Sequence, residues 1–459
     1  MDKLVGQNLE SSATITDLLD RVVGEAEKIN QVIQGPRPPS DQHKDYGAKL
    51  VAEVSQLRGR PLFYPFVGSG AGYGVYVELT DGSVKIDLIN GIGIHIFGHG
   101  HPRVHRATLR GALSDTVVQG NLQMGPEYLS MARKLIEIAS RKSRLKHTWI
   151  TTCGSMANEN ALKMVRQKHT PARKILAFQD AFAGRTTMMA EITDNPGYKV
   201  GLPTYNEVLR LPFFDHRNPR STDLTVEQLR RHVAENKGNI AALIFEPIQG
   251  EGGFRVAPRE FFLPLFEICR ENNIAIWADE VQTFCRTGQF FAFQGLDLGE
   301  YIDVCTIAKT AQVAATLYTE EYNPQPGLIA GTFAGTSAAL AAGHEILQIL
   351  DTEGYMGEHG KIAKIHDEFT AMLNGLVRGS CKGLLSDVGG KGLMVAVTPL
   401  DGSKEKMNEL LKVLFKNGLM CFGCGHGPYR LRFLIPAVIQ SRDIAIAGEI
   451  IEKSVHEMS

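Results

Sequence analysis

Apolar positions along this chain follow two rhythms. Val75, Val77 and Leu79 alternate with Tyr76 and Glu78. Asp81-Gly82 follows, and then Val84, Ile86 and Leu88. A period of two on both sides of an Asp-Gly pair predicts a β-hairpin. From about residue 130 the rhythm changes. Short apolar runs at 148–151, 175–178, 241–245, 274–278 and 304–307 alternate with amphipathic stretches. Such runs, separated by helical patterns, predict a parallel sheet covered on both faces. Upstream, Leu18, Leu19, Val22 and Val23 make one stripe of a helix expected over 15–33. Gly35-Pro36-Arg37-Pro38-Pro39 then breaks the chain. Residues 1–60 therefore read as an arm, packed on the main body or on a partner subunit. Beyond about 345 the pattern is helix-rich, with one further strand expected over 392–397.

Composition narrows the classes. The chain has 459 residues, 43% of them hydrophobic, which provides for a large core and more than one domain. Lys and Arg total 49 against 50 Asp and Glu, so no basic excess points to nucleic acid or to a membrane surface. No apolar run reaches the ~18 residues of a membrane span. Met1-Asp2-Lys3-Leu4-Val5-Gly6 lacks the basic-then-apolar pattern of an export signal. Seven sparse cysteines give no disulfide framework, so a reducing, cytoplasmic compartment is expected. The single CxxC, Cys421 to Cys424, has only His426 near it, so no metal site is expected.

Candidate chemistry follows the strand runs, because open α/β sheets bind ligands beyond the carboxyl ends of their strands. Thr152-Cys153-Gly154-Ser155 precedes a helix with Ala157, Ala161, Met164 and Val165 on one face. A small-residue turn at a helix start can hold an anion or can be a plain tight turn. The other strand ends lead into Asp180 to Arg185, the acidic loop 246–253, Asp279-Glu280-Val281-Gln282, and Ala308-Lys309-Thr310. A lysine is usually a solvated surface group. As one of five polar strand ends, Lys309 carries more weight. Gly68-Ser69-Gly70-Ala71-Gly72-Tyr73 has Tyr where a dinucleotide loop needs its third Gly, and strand alternation follows it.

Taken in order, these motifs resemble the class III (ω-amino acid) aminotransferases, pyridoxal-phosphate enzymes of fold type I, from about residue 61 to 455. The residues that carry the resemblance are Asp279-Glu280-Val281-Gln282-Thr283, Lys309 thirty residues later, the Glu-Pro-Ile-Gln-Gly-Glu-Gly-Gly loop at 246–253, Gly98-His99-Gly100-His101-Pro102, Gly331-Thr332-Phe333 and Leu431-Arg432-Phe433. The resemblance implies a large domain at 106–345 with a mainly parallel sheet. A small α+β domain would be built from both chain ends, 61–105 and 346–459, with 1–60 as the arm.

The resemblance also implies roles. Lys309 would hold pyridoxal 5′-phosphate as a Schiff base and shuttle the proton. Asp279 would pair with the ring nitrogen, Val281 and Phe182 would pack on the two ring faces, and Gln282 would lie near the ring oxygen. Gly154 and Ser155 would bind the phosphate. Thr332 would reach the phosphate of a neighbouring subunit, which implies a homodimer with shared sites. Arg432 would fork onto an α-carboxylate, and Glu251 would mask it, moving on a loop freed by its glycines. Arg185 would receive a distal carboxylate. The activity implied is transfer of a terminal amino group of lysine, ornithine, acetylornithine, 4-aminobutyrate or a similar amine to 2-oxoglutarate. The alternatives are an aminomutase, a decarboxylase-transaminase, or an inactive binding protein without the cofactor.

The chain departs from the family pattern in several places. Met156 stands where Glu is usual, and Ala183 where His or Trp is usual. Thr283-Phe284-Cys285-Arg286 is one residue short. Thr310-Ala311-Gln312-Val313 replaces a Gly-rich stretch, and Thr336-Ser337 replaces Asn-Pro. The Lys-x-x-Gln-Val run is similar to the lysine 6-aminotransferase branch.

Overall fold

Seven strands form the central sheet. Their order is His147–Thr151, Ala314–Tyr318, Val304–Ile307, Ala275–Asp279, Ile240–Phe245, Lys174–Phe178 and Val208–Leu211. Neighbours from Val304–Ile307 to Val208–Leu211 run parallel. Ala314–Tyr318 alone is reversed, antiparallel to the strand on each side of it. The computed structural model describes residues 4–459; Met1, Asp2 and Lys3 lie outside the described residues.

All five predicted runs are strands of this sheet, to within a residue or two. Strand alternation sorts their side chains onto two covers. Leu176, Phe178, Leu243, Phe245, Ile276 and Ile307 join the core with Met131, Leu135, Phe261 and Phe262. Ile175, Ala177, Ile244, Trp277 and Val304 join Ala161, Leu162, Met164 and Val165 of the helix Gly154–Lys168. Both faces are therefore covered.

Two strands are absent from the pattern reading. Val208–Leu211 is an edge strand interrupted by Arg210, whose guanidinium donates to the carbonyls of Ile192 (2.6 Å) and Glu191 (2.8 Å). Ala314–Tyr318 is alanine-rich, and burial between two strands overrides its weak propensity.

The chain ends meet. Gly68–Tyr73, Tyr76–Leu79 and Val84–Asp87 form an antiparallel meander, and Leu419–Met420 pairs parallel to Val84–Asp87. The hairpin is as predicted, and the glycine-rich Gly68–Tyr73 is a strand rather than a phosphate loop. The single strand expected in the tail is one of a sheet of four. Leu385–Lys391, Met394–Pro399, Arg430–Leu434 and Phe422–Cys424 make an antiparallel sheet. Glycines in Leu385–Lys391 and arginines in Arg430–Leu434 hide this sheet from a pattern reading.

In the arm, the helix spans Ala13–Asn30, ending earlier than expected. It lies on the helix Pro102–Ala112, held by the Arg106–Asp20 ion pair and by Arg110 Nη2 donating to Thr16 Oγ1 at 2.6 Å. Only Val23 of its stripe is buried; Leu18 and Val22 are exposed. Among the described residues, no helix is long and apolar enough to cross a membrane.

Candidate active site

Parallel strands deliver their carboxyl ends to one edge, and the polar residues after them surround one cavity of about 350 Å³. Asp279 and Thr306 sit side by side on adjacent strands. Lys309, three residues past Thr306, therefore faces the same space. Gly154, Ser155, Phe182, Glu251, Val281 and Gln282 also line it.

Asp279 is 5% exposed. Its carboxylate accepts from Asn158 Nδ2 at 2.8 Å and from the Val281 N–H at 3.0 Å. Burial pushes its pKa up to about 6; the two hydrogen bonds and the Lys309 charge oppose that rise. Lys309 is moved the other way. Burial, then the Arg286 and Arg432 charges, bring its amine down to about 8. Arg286 is itself buried and donates to the carbonyls of Gln282, Phe284 and Gly93, and burial lowers it to about 10. Glu246 bridges two N–H groups, of Phe182 at 3.1 Å and of Gly250 at 2.9 Å. Burial and then the Asp279 charge raise its pKa to about 8.

The helix Gly154–Lys168 starts from Cys153, whose side chain caps nothing, so its first N–H groups stay free toward the cavity. Gly154 is obligatory for space, since a Cβ there would stand 2.9 Å from Val281 Cγ1. Gly184 is obligatory for conformation, with φ near +131° and Ser155 Oγ 2.4 Å from where a Cβ would be.

Glu251 and Arg432 meet at 2.6 Å. Arg432 has 1% of its side chain exposed and Glu251 21%. The expectation that glycines free the Glu251 loop is corrected here. A Cβ on Gly250 would lie 2.3 Å from Gln282 Oε1, and one on Gly252 would lie 2.8 Å from Gln249 Oε1. These two glycines serve close packing, and only Gly253, at φ +117°, uses the left-handed region.

Three expected site residues lie off the cavity wall: Arg432, covered by Glu251, and Arg185 and Thr332. Arg185 is exposed and stacks on Tyr198, its guanidinium carbon 3.4 Å from the ring centroid. Thr332 is exposed at the end of the 119–125 turn, where the Asn121 N–H donates to the Gly331 carbonyl. His426 turns from the CxxC cysteines to Asp180, at 3.2 Å.

The departures fall around the same space. Met156 is exposed, Ala183 is a buried residue of the cavity lining, and Gln312 lines the cavity at a positive φ. Sequence reading missed Asn158, Glu246 and Arg286. Asn158 left a signal, a polar residue within the apolar face of its helix.

The chain belongs to the class III aminotransferases: the family model for them matches residues 65–455. It is thus a pyridoxal-phosphate-dependent transaminase. A probable 4-aminobutyrate aminotransferase of Bacillus subtilis is 29% identical over 80% of this chain and 88% of its own. The 4-aminobutyrate aminotransferase of Mycobacterium tuberculosis is 31% identical over 89% and 93%. In fold, the chain is similar to the solved lysine aminotransferase of M. tuberculosis, with TM-score 0.79, 21% identity, and coverage of 89% of this chain and 100% of that one.

The cavity fits this cofactor. It pairs free N–H groups at a helix start with a buried carboxylate and a buried lysine. Phe182 and Val281 offer flat and branched apolar walls. Gln282 Oε1 is buried with no hydrogen-bond partner among the described residues, a polar atom suited to a ring substituent.

Proposed function

We propose that the enzyme moves a terminal amino group from an ω-amino acid to 2-oxoglutarate. The observation that carries this reading is a buried Lys309–Asp279 cavity sharing its edge with the Glu251–Arg432 pair. Relatives named for 4-aminobutyrate and lysine support the same substrate class. Bound here, pyridoxal phosphate supplies a carbonyl that accepts the amino group and a ring that takes up electrons as a C–H proton leaves.

The protein's share is to hold that group and to move protons. Gly154 and Ser155 N–H groups would take the phosphate. Phe182 and Val281 would pack on the ring. Asp279, held by Asn158, would accept the ring N–H, and Gln282 would face the ring oxygen. Lys309 would anchor the cofactor and, as a neutral amine, would take up and return the substrate proton. With a pKa near 8, about a tenth of that amine is neutral at pH 7, against a few in ten thousand for an ordinary lysine. The rate at which cofactor-free protein attaches added pyridoxal phosphate should therefore climb tenfold per pH unit and level off near pH 8. A rise that continues to pH 10 contradicts a lowered Lys309.

Glu251 covers Arg432 while an uncharged arm occupies the pocket. It leaves when a 2-oxo acid brings a carboxylate to the arginine. Arg185, stacked on Tyr198, offers its N–H edge to a distal carboxylate. Arg432→Leu should slow the 2-oxoglutarate half-reaction by about 2–4 kcal/mol and the donor half-reaction much less. Single-turnover absorbance changes, read for each half, test this. Equal losses in both halves reject the gate.

A homodimer completes the reading. Thr332 and Phe333 are exposed beside Leu122, which is 96% exposed, an apolar face of the kind a second copy covers. With sites shared across that face, mixing Thr332→Ala with Lys309→Ala subunits should restore activity, because one site of the hybrid keeps both residues. No recovery after verified subunit exchange, or a fully active monomer, contradicts it.

A further inference from the structure

Three groups hold the loop that carries Glu251. At its start the Gly250 N–H donates to Glu246 at 2.9 Å. In its middle the Gly425 N–H donates to the Glu251 carbonyl at 2.8 Å. At its far end Arg430 Nη1 donates to the Gly253 carbonyl at 2.7 Å. Arg430 and Arg432 are two residues apart on the strand Arg430–Leu434, so both leave the same face. One takes the Glu251 carboxylate, and the other takes the main chain two residues further on.

Arg430 is 7% exposed, and it does more than touch the loop. Its Nη2 donates to the Ala396 carbonyl at 3.3 Å and to the Asp387 carbonyl. A single planar guanidinium thus ties the loop to two strands of the tail sheet, Leu385–Lys391 and Met394–Pro399. A planar fork suits several acceptors in fixed directions, whereas a lysine ammonium on a flexible stem does not.

We propose that Arg430 is a positioning residue for the gate. It fixes the main chain at the far end of the loop, so that Glu251 leaves Arg432 by side-chain rotation alone and returns to one place. This inference rests on the gate reading above. Loss of the Arg430 fork should weaken the closed pair and leave Arg432 exposed for a larger share of the time. The ω-amino half-reaction should then suffer, while the 2-oxoglutarate half should not.

The test uses the holoenzyme and compares wild type, Glu251→Ala, Arg430→Lys and the double variant. Two quantities are read: the ratio of the two half-reaction rates, and the calorimetric dissociation constant of glutarate, an unreactive dicarboxylate. Arg430→Lys keeps the charge, so a shift reports geometry. The expected result is a shift of roughly three- to tenfold toward the 2-oxoglutarate half and tighter glutarate binding, with the double variant matching Glu251→Ala alone. An unchanged ratio in Arg430→Lys, or additive shifts in the double variant, overturns the role of Arg430. No shift in Glu251→Ala itself rejects the gate and the inference with it. Should Arg430→Lys fail to fold, Arg430→Gln, which retains an N–H donor, is read by the same criteria.

Discussion

Lys309→Ala is expected to lower the transamination rate by at least about 10⁴-fold, since the proposed mechanism gives one residue both the covalent anchor and the proton shuttle. Folding should not suffer. Lys309 already sits at φ +57°, and alanine adds no strain at that position beyond what lysine accepts. The variant also removes a buried amine that the Arg286 and Arg432 charges disfavour. The melting temperature of the cofactor-free protein should therefore hold or rise. Borohydride reduction of the wild type, followed by peptide mapping, should place the pyridoxyl group on Lys309. A label on another lysine, or an active Lys309→Ala enzyme, overturns the assignment.

Asp279→Ala should cost about 3–4 kcal/mol in the chemical step, the range for removing one preorganised electrostatic group from an active site. The overall loss should be larger than that from Arg432→Leu, because the role proposed for Asp279 serves both halves of the reaction. Asp279→Asn separates charge from shape. It keeps the size of the side chain beside Asn158 but removes the negative charge that favours a protonated ring nitrogen. Rates for Asp279→Asn close to those for Asp279→Ala identify charge as the working property. Rates close to wild type leave Asp279 as a packing residue.

Much of the site was legible because strand ends are short-range features. Each apolar run is a local pattern, and the polar residues that follow it are placed by the run itself. Asp279 and Lys309 could be singled out this way before any contact between them was known. Their relation could not. Its register, Asp279 beside Thr306, belongs to two strands that meet only in the sheet.

Less legible were groups whose meaning depends on distant partners. Asn158 reads as one more polar helix residue until it reaches Asp279, 121 positions away. Arg430 reads as the companion of Arg432 until its guanidinium is found on Gly253, 177 positions earlier. The loop glycines misled for the same reason. Glycine permits motion when nothing is near it, but Gly250 and Gly252 are pressed against Gln282 and Gln249.

The sequence by itself determined the periodic strands, the hairpin, the family and the residue types at each strand end. The strands, the hairpin and the strand-end residues depend on neighbours within about ten positions, where the chain's own geometry fixes which side chains share a face, and the family rests on the order of such motifs along the chain. Only the tertiary structure decided the reversed strand Ala314–Tyr318, the four-stranded tail sheet, the lowered amine of Lys309 and the pinning of the Glu251 loop. These depend on burial and on partners that meet only in the folded chain, which no local pattern encodes.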